Sequence, residues 1–295
     1  MILTQDAYKC YKAKALEEKA LRIFVITKRH ILIAAIAAAI IITAIVVAVS
    51  FTSGSATAPT SSLTADASAD NNYEMTVLAG TKKELPVYSV DRNDKKIALT
   101  IDAAWEDDKT PFILETLDKY DVKATFFLCG FWAEKYADKV KEIYEKGHEL
   151  GNHTATHPHM NTLSADGIKK ELDDFEKLMV DITGEKTTVF RAPYGEYNDN
   201  VIKTVRSMGY EVLQWDIDSI DWKEERSAQT ILDTVLPKLH DGCIILCHNN
   251  GFKIKEYLPT LIEEAQKQGY EFVTISELLL DGETYIDVNG VQKAK

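Results

Sequence analysis

Hydrophobic and polar positions divide the chain into three parts. Residues 31–51 form an uncharged run, ILIAAIAAAIIITAIVVAVSF; as a helix it would span about 31 Å, the thickness of a bilayer's hydrocarbon core. A buried core helix is the alternative, but such helices usually keep a polar stripe. Residues 52–72 are rich in Ser, Thr and Ala, which predicts a flexible tether. Residues 73–295 are predicted to form the folded domain.

Within that domain, apolar runs alternate with helical periodicity. Strands are predicted at residues 96–101, 123–128, 187–190, 210–215, 243–248 and 270–275. Helices are predicted to begin after Ser164, Asn198 and Ser227, the first ending at Gly184 and the second at Gly209. The alternation predicts an α/β fold with a parallel sheet, either a (β/α) barrel or an open doubly wound sheet. No Gly-rich phosphate loop follows a strand, which disfavours nucleotide binding.

The charges that flank the apolar run predict its orientation. Residues 1–30 carry seven basic and three acidic residues, and no Lys or Arg follows the run until Lys82. The positive-inside rule then places residues 1–30 in the cytoplasm and the folded domain outside the cell. A cleaved signal peptide is the alternative, but both the basic segment and the apolar run are long for one. We expect a single-pass signal anchor in the cell membrane.

The charge balance of the exported part restricts the kinds of partner it can bind. Residues 31–295 keep 27 of the 34 basic and 43 of the 46 acidic residues, a balance that argues against nucleic-acid binding. The sequence carries no oligomerisation signal.

Cys243 and Cys247 fall on one face of a predicted strand, about 13 Å apart and too far to bridge by a disulfide. Together with Cys129 they are predicted to be free buried thiols.

Polar side chains with catalytic chemistry stand at the ends of the predicted strands. Asp102, Arg191 and His248 each end or follow a strand, and His153 and His157 follow the short segment HELGN. A further cluster follows residues 210–215 and consists of Asp216, Asp218, Asp221 and Trp222. The ends of parallel strands meet on one face of a barrel. Five such clusters therefore predict an active site, although each alone is a weak signal.

The order of these motifs resembles one family. The segments TIDAAW, HTATH, RAPYG, DSIDW and IILCH resemble the motifs of the polysaccharide deacetylases (carbohydrate esterase family four), which remove acetyl groups from chitin-like sugars and peptidoglycan. The resemblance implies a distorted (β/α) barrel with a catalytic core over about residues 92–281. It also implies a metal-dependent N-deacetylase of cell-wall glycan, acting on peptidoglycan amino sugars, with a sporulation-type enzyme as an attractive subclass.

The resemblance also implies roles for individual residues. His153 and His157 resemble two ligands of a divalent metal, usually zinc. Asp102 resembles the general base, held ionised by Arg191. His248 resembles the general acid.

The resemblance also implies a partner for His248, a donor to the oxyanion and residues that line the substrate site. Asp221 is expected to keep His248 protonated, with Asp218 as the alternative partner. The backbone N–H of Tyr194 is expected to stabilise the oxyanion. The side chains expected to line the substrate site are Tyr194, Trp222 and Leu246. No catalytic role is assigned to His148, His159 or His240.

One position departs from the family pattern. The family commonly has two consecutive aspartates in the first motif, the second binding the metal, and here that residue is Ala103. The metal is therefore predicted to be weakly held, with waters or a carboxylate of residues 105–108, Asp107 first among them, completing its shell. The alternative is a catalytically silent carbohydrate-binding module, and a weaker option is deacetylation of a non-carbohydrate amide. The joint presence of Asp102, Arg191 and His248 favours the enzyme.

Overall fold

A computed structural model describes residues 83–295. The predicted cytoplasmic tail, the membrane span at residues 31–51 and the tether at residues 52–72 lie outside the described residues. Among the helices of residues 83–295, none is both long and apolar enough to cross a bilayer.

The described part of the chain contains strands and helices in alternation. The strands are Ser89–Val90 (β1), Lys96–Ala103 (β2), Thr125–Leu128 (β3), Glu149–Asn152 (β4), Val189–Arg191 (β5), Glu211–Leu213 (β6), Ile217–Asp218 (β7), Ile244–His248 (β8), Glu271–Val273 (β9), Thr284–Ile286 (β10) and Val291–Ala294 (β11). The α-helices are Thr110–Lys119 (α1), Gly130–Lys135 (α2), Ala137–Glu145 (α3), Ala165–Thr183 (α4), Asp199–Ser207 (α5), Ala228–Val235 (α6), Ile254–Lys267 (α7) and Ile275–Leu278 (α8). Each of the six predicted strands is present, most of them shorter than predicted.

The main sheet is parallel and runs in the order β6-β5-β4-β3-β2-β8-β7, with β9 also paired to β2. It curls into a half-barrel, so the α/β prediction is confirmed, and the barrel is open rather than closed. Strand β2 lies at its centre, where Asp102 is in register with Phe127 of β3 and His248 of β8. Strands β10 and β11 at the end of the chain form a separate three-stranded sheet with β1, in the order β1-β11-β10.

Local sequence explains where three of the helices begin. The side chains of Ser164, Asn198 and Ser227 each accept a hydrogen bond from a backbone N–H in the first turn of α4, α5 and α6, as N-cap residues do. Helix α4 ends at Gly184, whose φ of 82° is left-handed. The predicted caps are therefore confirmed.

Side chains along β2 point alternately to the hydrophobic core and to the concave face of the sheet, where the candidate site lies. Ile97, Leu99 and Ile101 of β2 are fully buried in the largest hydrophobic cluster, which includes residues of the covering helices. Successive strand residues point to opposite faces, so Thr100 and Asp102 point to the concave face of the sheet. The predicted thiols Cys129, Cys243 and Cys247 are free and buried.

Candidate active site

The strand ends surround a cavity of about 510 Å³ on the concave side of the sheet. Seven of the nine predicted site residues line it. The lining residues are Asp102, Ala104, Trp105, His153, His157, Tyr194, Gly195, Trp215, Asp218, Trp222, Leu246, His248 and Asn250. The other two predicted residues, Arg191 and Asp221, have no exposed surface and hold lining residues from behind.

Arg191 and Asp102 form a buried ion pair at the centre of the sheet. Arg191 Nη1 donates to Asp102 Oδ1 at 2.7 Å, and Nη2 donates to the Gln214 carbonyl at 2.9 Å. Burial acts to raise the pKa of Asp102, but neighbouring positive charges, that of Arg191 first among them, hold it below its usual range. The Asp102 carboxylate is therefore ionised, with its Oδ2 3.7 Å from His153 Nε2.

His153 and His157 present neutral nitrogens to the cavity. His153 Nδ1 lies 2.8 Å from the Arg191 carbonyl, which can only accept, so Nδ1 carries the proton and Nε2 keeps its lone pair. Burial lowers the pKa of His153, and it lowers that of His157 to about 4. Both rings are thus neutral at physiological pH.

These two histidines fit a divalent metal of the zinc type. Their ring centroids are 5.1 Å apart, and two imidazoles bound to one zinc at about 2.0–2.1 Å would have centroids roughly 5 Å apart. The Nδ1 atom of His157 is buried and has no hydrogen-bond partner, and an unpartnered buried nitrogen costs free energy unless a ligand satisfies it.

A third protein ligand is missing from the described residues, where no group of three or more His, Cys, Asp or Glu could hold an ion. Ala103 is fully buried in the same cluster as Ile101. Asp107, predicted to fold back over the site, does not line the cavity. It lies close enough to Lys135 and Lys139 for their charges to interact, so that prediction is wrong.

Asp221 holds His248 from below the cavity. Its Oδ1 accepts from His248 Nδ1 at 2.7 Å, and its Oδ2 accepts from the His248 backbone N–H at 3.0 Å and from Tyr257 Oη at 2.6 Å. Gly251 packs so closely that an added Cβ would lie 2.2 Å from Asp221 Oδ2. Burial acts to lower the pKa of His248, but the hydrogen bond and charge of Asp221 outweigh it and raise that pKa above 6.5.

Asp218, the alternative partner, has a different environment. Its Oδ1 accepts from the Ile220 backbone N–H at 2.7 Å, and burial raises its pKa. It lines the cavity beside His248 without the direct hydrogen bond that Asp221 makes.

Aromatic and aliphatic side chains form the walls of the cavity. Tyr194 and Trp222 are 59% and 53% exposed, and Leu246 is buried. Tyr194 has a left-handed φ of 58° in the turn after β5, and its ring meets that of His157 edge-on at 4.6 Å. Large apolar side chains left exposed around one cavity are typical of a ligand-binding site.

Three residues without assigned catalytic roles also have specific contacts. His159 is an exposed loop residue, and its ring stacks on Tyr194 at 4.5 Å. His240 pairs with Asp216. Asp216 also accepts from the Ile244 backbone N–H and does not line the cavity, so its role is structural.

Sequence reasoning missed several residues of the site. The sequence pattern places Trp105 only in a loop and indicates no role for Trp215 or Asn250, although all three line the cavity. Asn250 directly follows the IILCHN segment, so its position at a strand end was the available signal. Tyr257 gave no signal, because it lies within the apolar stripe of α7.

Comparison with known proteins tests the resemblance. The family model described as polysaccharide deacetylase matches residues 89–213. The peptidoglycan-N-acetylmuramic acid deacetylase PdaA of Bacillus subtilis is 32% identical over 199 residues, 66% of this chain and 76% of that protein. This chain belongs to the polysaccharide deacetylase family. The peptidoglycan-N-acetylglucosamine deacetylase of Bacillus cereus is 33% identical over 214 residues, 71% of this chain and 78% of that protein.

One similar solved structure of the polysaccharide deacetylase family is that of a pseudoenzyme. A CE4-family pseudoenzyme from Bacillus anthracis is 37% identical with a TM-score of 0.63, over 65% of this chain and 68% of that chain. A mutant of that protein is described as having restored enzymatic activity. The proteins similar to this polysaccharide deacetylase thus include both deacetylases and a pseudoenzyme.

Asp221→Asn is expected to lower the pKa of His248 below 6.5, because the amide lacks the charge that outweighs burial. An NMR titration of the labelled imidazole would measure it. Tyr257→Phe is the matched control, since it removes a hydroxyl from the same carboxylate but leaves the charge; here the pKa should stay above 6.5. An unchanged pKa in Asp221→Asn would show that Asp221 does not set the protonation of His248.

Proposed function

We propose that this polysaccharide deacetylase hydrolyses the N-acetyl groups of peptidoglycan amino sugars, releasing acetate and leaving a free amine on the glycan. The observation that carries the proposal is that two groups in one cavity have pKa values shifted in opposite directions. Asp102 has a lowered pKa and His248 a raised one, which is the assignment that a base and an acid need at neutral pH. The names of the relatives support the substrate class.

In the proposed reaction, Asp102 accepts a proton from the attacking water. Its Oδ1 is occupied by Arg191, which leaves Oδ2 on the side of His153 as the basic atom. The water oxygen adds to the acetyl carbonyl carbon, and the backbone N–H of Tyr194 is proposed to donate to the oxyanion that forms.

His248 then donates a proton to the departing nitrogen as the C–N bond breaks. Its Nδ1 is engaged with Asp221, so Nε2 is the atom that delivers the proton. Without this proton the leaving group would be an amide anion, which is too basic to depart. Tyr194, Trp222 and Leu246 are proposed to receive the sugar ring and the acetyl methyl.

His153 and His157 are the residues that would hold a divalent metal, zinc being the best match to two neutral imidazoles. When bound, the metal would supply Lewis-acid polarisation of the acetyl carbonyl. Since Ala103 removes an anionic ligand, we propose that the metal is weakly held. The same substitution favours a sporulation-type enzyme within the family.

The second candidate function is a catalytically silent carbohydrate-binding module. Ala103 and the similarity to a pseudoenzyme favour it. The retained Asp102–Arg191 and His248–Asp221 pairs argue against it, because burying two carboxylates and an arginine is costly and a binding module gains nothing from them.

Asp102→Asn and His248→Ala are each expected to lower kcat for acetate release by about two to four orders of magnitude, as the loss of a general base or acid does. Glycan affinity should change far less. Acetate would be measured on peptidoglycan and on chitooligosaccharides, with and without chelator. Wild-type turnover in either variant would remove that residue from the mechanism, and no acetate from the wild type would favour the silent module.

Metal retention provides a test that does not depend on activity. After dialysis, Ala103→Asp should retain more metal than the wild type, and His153→Ala should retain less, because they add and remove a ligand. Ala103→Asn is the matched control, since it places a similar polar group at the same position without the charge. Metal content would be measured by mass spectrometry. Equal retention in wild type and His153→Ala would contradict the proposed site.

We also propose that the deacetylase domain lies outside the cell, attached by residues 31–51. Protease added to intact spheroplasts is then expected to digest residues 73–295 and spare residues 1–30, because only the former are accessible. The fragments would be followed with antibodies to each end. Digestion of the domain only after lysis would contradict this orientation.

A further inference from the structure

Trp105 is a large aromatic residue that the proposed mechanism does not use. It lines the cavity, yet 56% of it is exposed. On one side its ring lies 5.2 Å from Phe131, and on the other 6.1 Å from His157. Leaving an indole in water forgoes the free energy of burying it, so its exposure beside the active site calls for a ligand.

The backbone that carries Trp105 is held in a fixed conformation. The next residue, Glu106, has a left-handed φ of 53°, which is unfavourable for a residue other than glycine. The Glu106 carbonyl accepts hydrogen bonds from Trp132 Nε1 at 2.5 Å and from Asn249 Nδ2 at 2.7 Å. Both donor residues are buried. Such strain persists where the surroundings enforce it, and it is often found at ligand-binding positions.

The position of Trp105 in the sheet makes it a third aromatic wall. Tyr194 follows β5 and Trp222 follows β7, whereas Trp105 follows β2, which lies between these strands. The reacting acetamide must lie among Asp102, His153 and His248. The ring of Trp105 contacts that of His157, which in turn contacts that of His153, so we place Trp105 one aromatic ring away from that centre.

We infer that Trp105, supported by Phe131, binds the sugar next to the one that loses its acetyl group, by packing its indole on the C–H face of the neighbouring pyranose ring. An indole is apolar on its face and rigid, which suits a pyranose face and costs little conformational entropy. The polysaccharide deacetylase thereby selects oligosaccharides over single sugars. This inference rests on the proposed function for the class of its substrate.

The test measures how the effect of Trp105 depends on glycan length. The full chain in detergent would be assayed as wild type, Trp105→Ala, Trp105→Phe and Tyr285→Ala. Tyr285 is the matched control, since it is an aromatic residue 42% exposed on β10, away from the cavity. The substrates are N-acetylglucosamine and its β-linked oligomers of increasing length, with KM and kcat from acetate release. Dissociation constants of chelator-treated protein come from calorimetry.

Trp105→Ala should raise KM and the dissociation constant for the oligomers by about tenfold, equivalent to about 1.4 kcal/mol, and leave those for the monosaccharide unchanged. Trp105→Phe should recover most of the loss, and Tyr285→Ala should match the wild type. The inference is overturned if Trp105→Ala has no effect, or if it weakens the monosaccharide and the oligomers equally. The latter result would mean that Trp105 contacts the reacting sugar or only supports His157.

The two binding and activity measurements separate this inference from the proposed function. If the wild type releases no acetate but binds longer oligomers more tightly through Trp105, the inference stands and the deacetylase proposal fails. If acetate release is normal and the advantage of longer oligomers survives in Trp105→Ala, only the inference fails.

Discussion

The ion pair between Arg191 and Asp102 is the interaction on which the rest of the site depends. A guanidinium without exposed surface is costly to bury unless its charge is paired and most of its donors are satisfied. Here the partners come from β2, β3 and the loop after β6, namely Asp102, Thr100, the Gln214 carbonyl and the faces of Phe127 and Trp215, and Nε has no hydrogen-bond partner. Removing one partner would leave a buried charge uncompensated, at about 3–5 kcal/mol. The pair therefore joins β2 to β5 and at the same time fixes Asp102, the proposed base.

A second buried carboxylate, that of Asp221, supports His248, the proposed general acid. Asp221 has no exposed surface, and both of its oxygens accept hydrogen bonds, from His248 and from Tyr257. The partner of Asp221 is a histidine, which can gain or lose a proton, rather than an arginine, which is always charged. The negative charge of Asp221 therefore raises the pKa of His248. One carboxylate is thus kept ionised while the other raises the pKa of an imidazole, and the difference lies in their partners.

The replacement at Ala103 leaves both pairs intact. Ala103 is the buried last residue of β2, and its methyl side chain takes no part in the hydrogen bond between Arg191 and Asp102 or in that between His248 and Asp221. A change at residue 103 would therefore alter the proposed set of metal ligands without touching the hydrogen bonds of the proposed acid and base. This separation is physically consistent with a family in which deacetylases and a pseudoenzyme have similar folds.

The local pattern of the sequence was enough to predict the strands, three helix caps and the convergence of Asp102, His153, Arg191 and His248, since parallel strands bring their carboxyl ends to one edge. It favoured Asp221 as the partner of His248 but left Asp218, three residues earlier, open as the alternative. Only the turn after β7 and the packing of α7, which brings Tyr257 from 36 residues away, decided that. The direction of Asp107 and the exposure of Trp105 were likewise decided by tertiary contacts, because a loop's side chains are directed by the elements it packs against rather than by its own sequence.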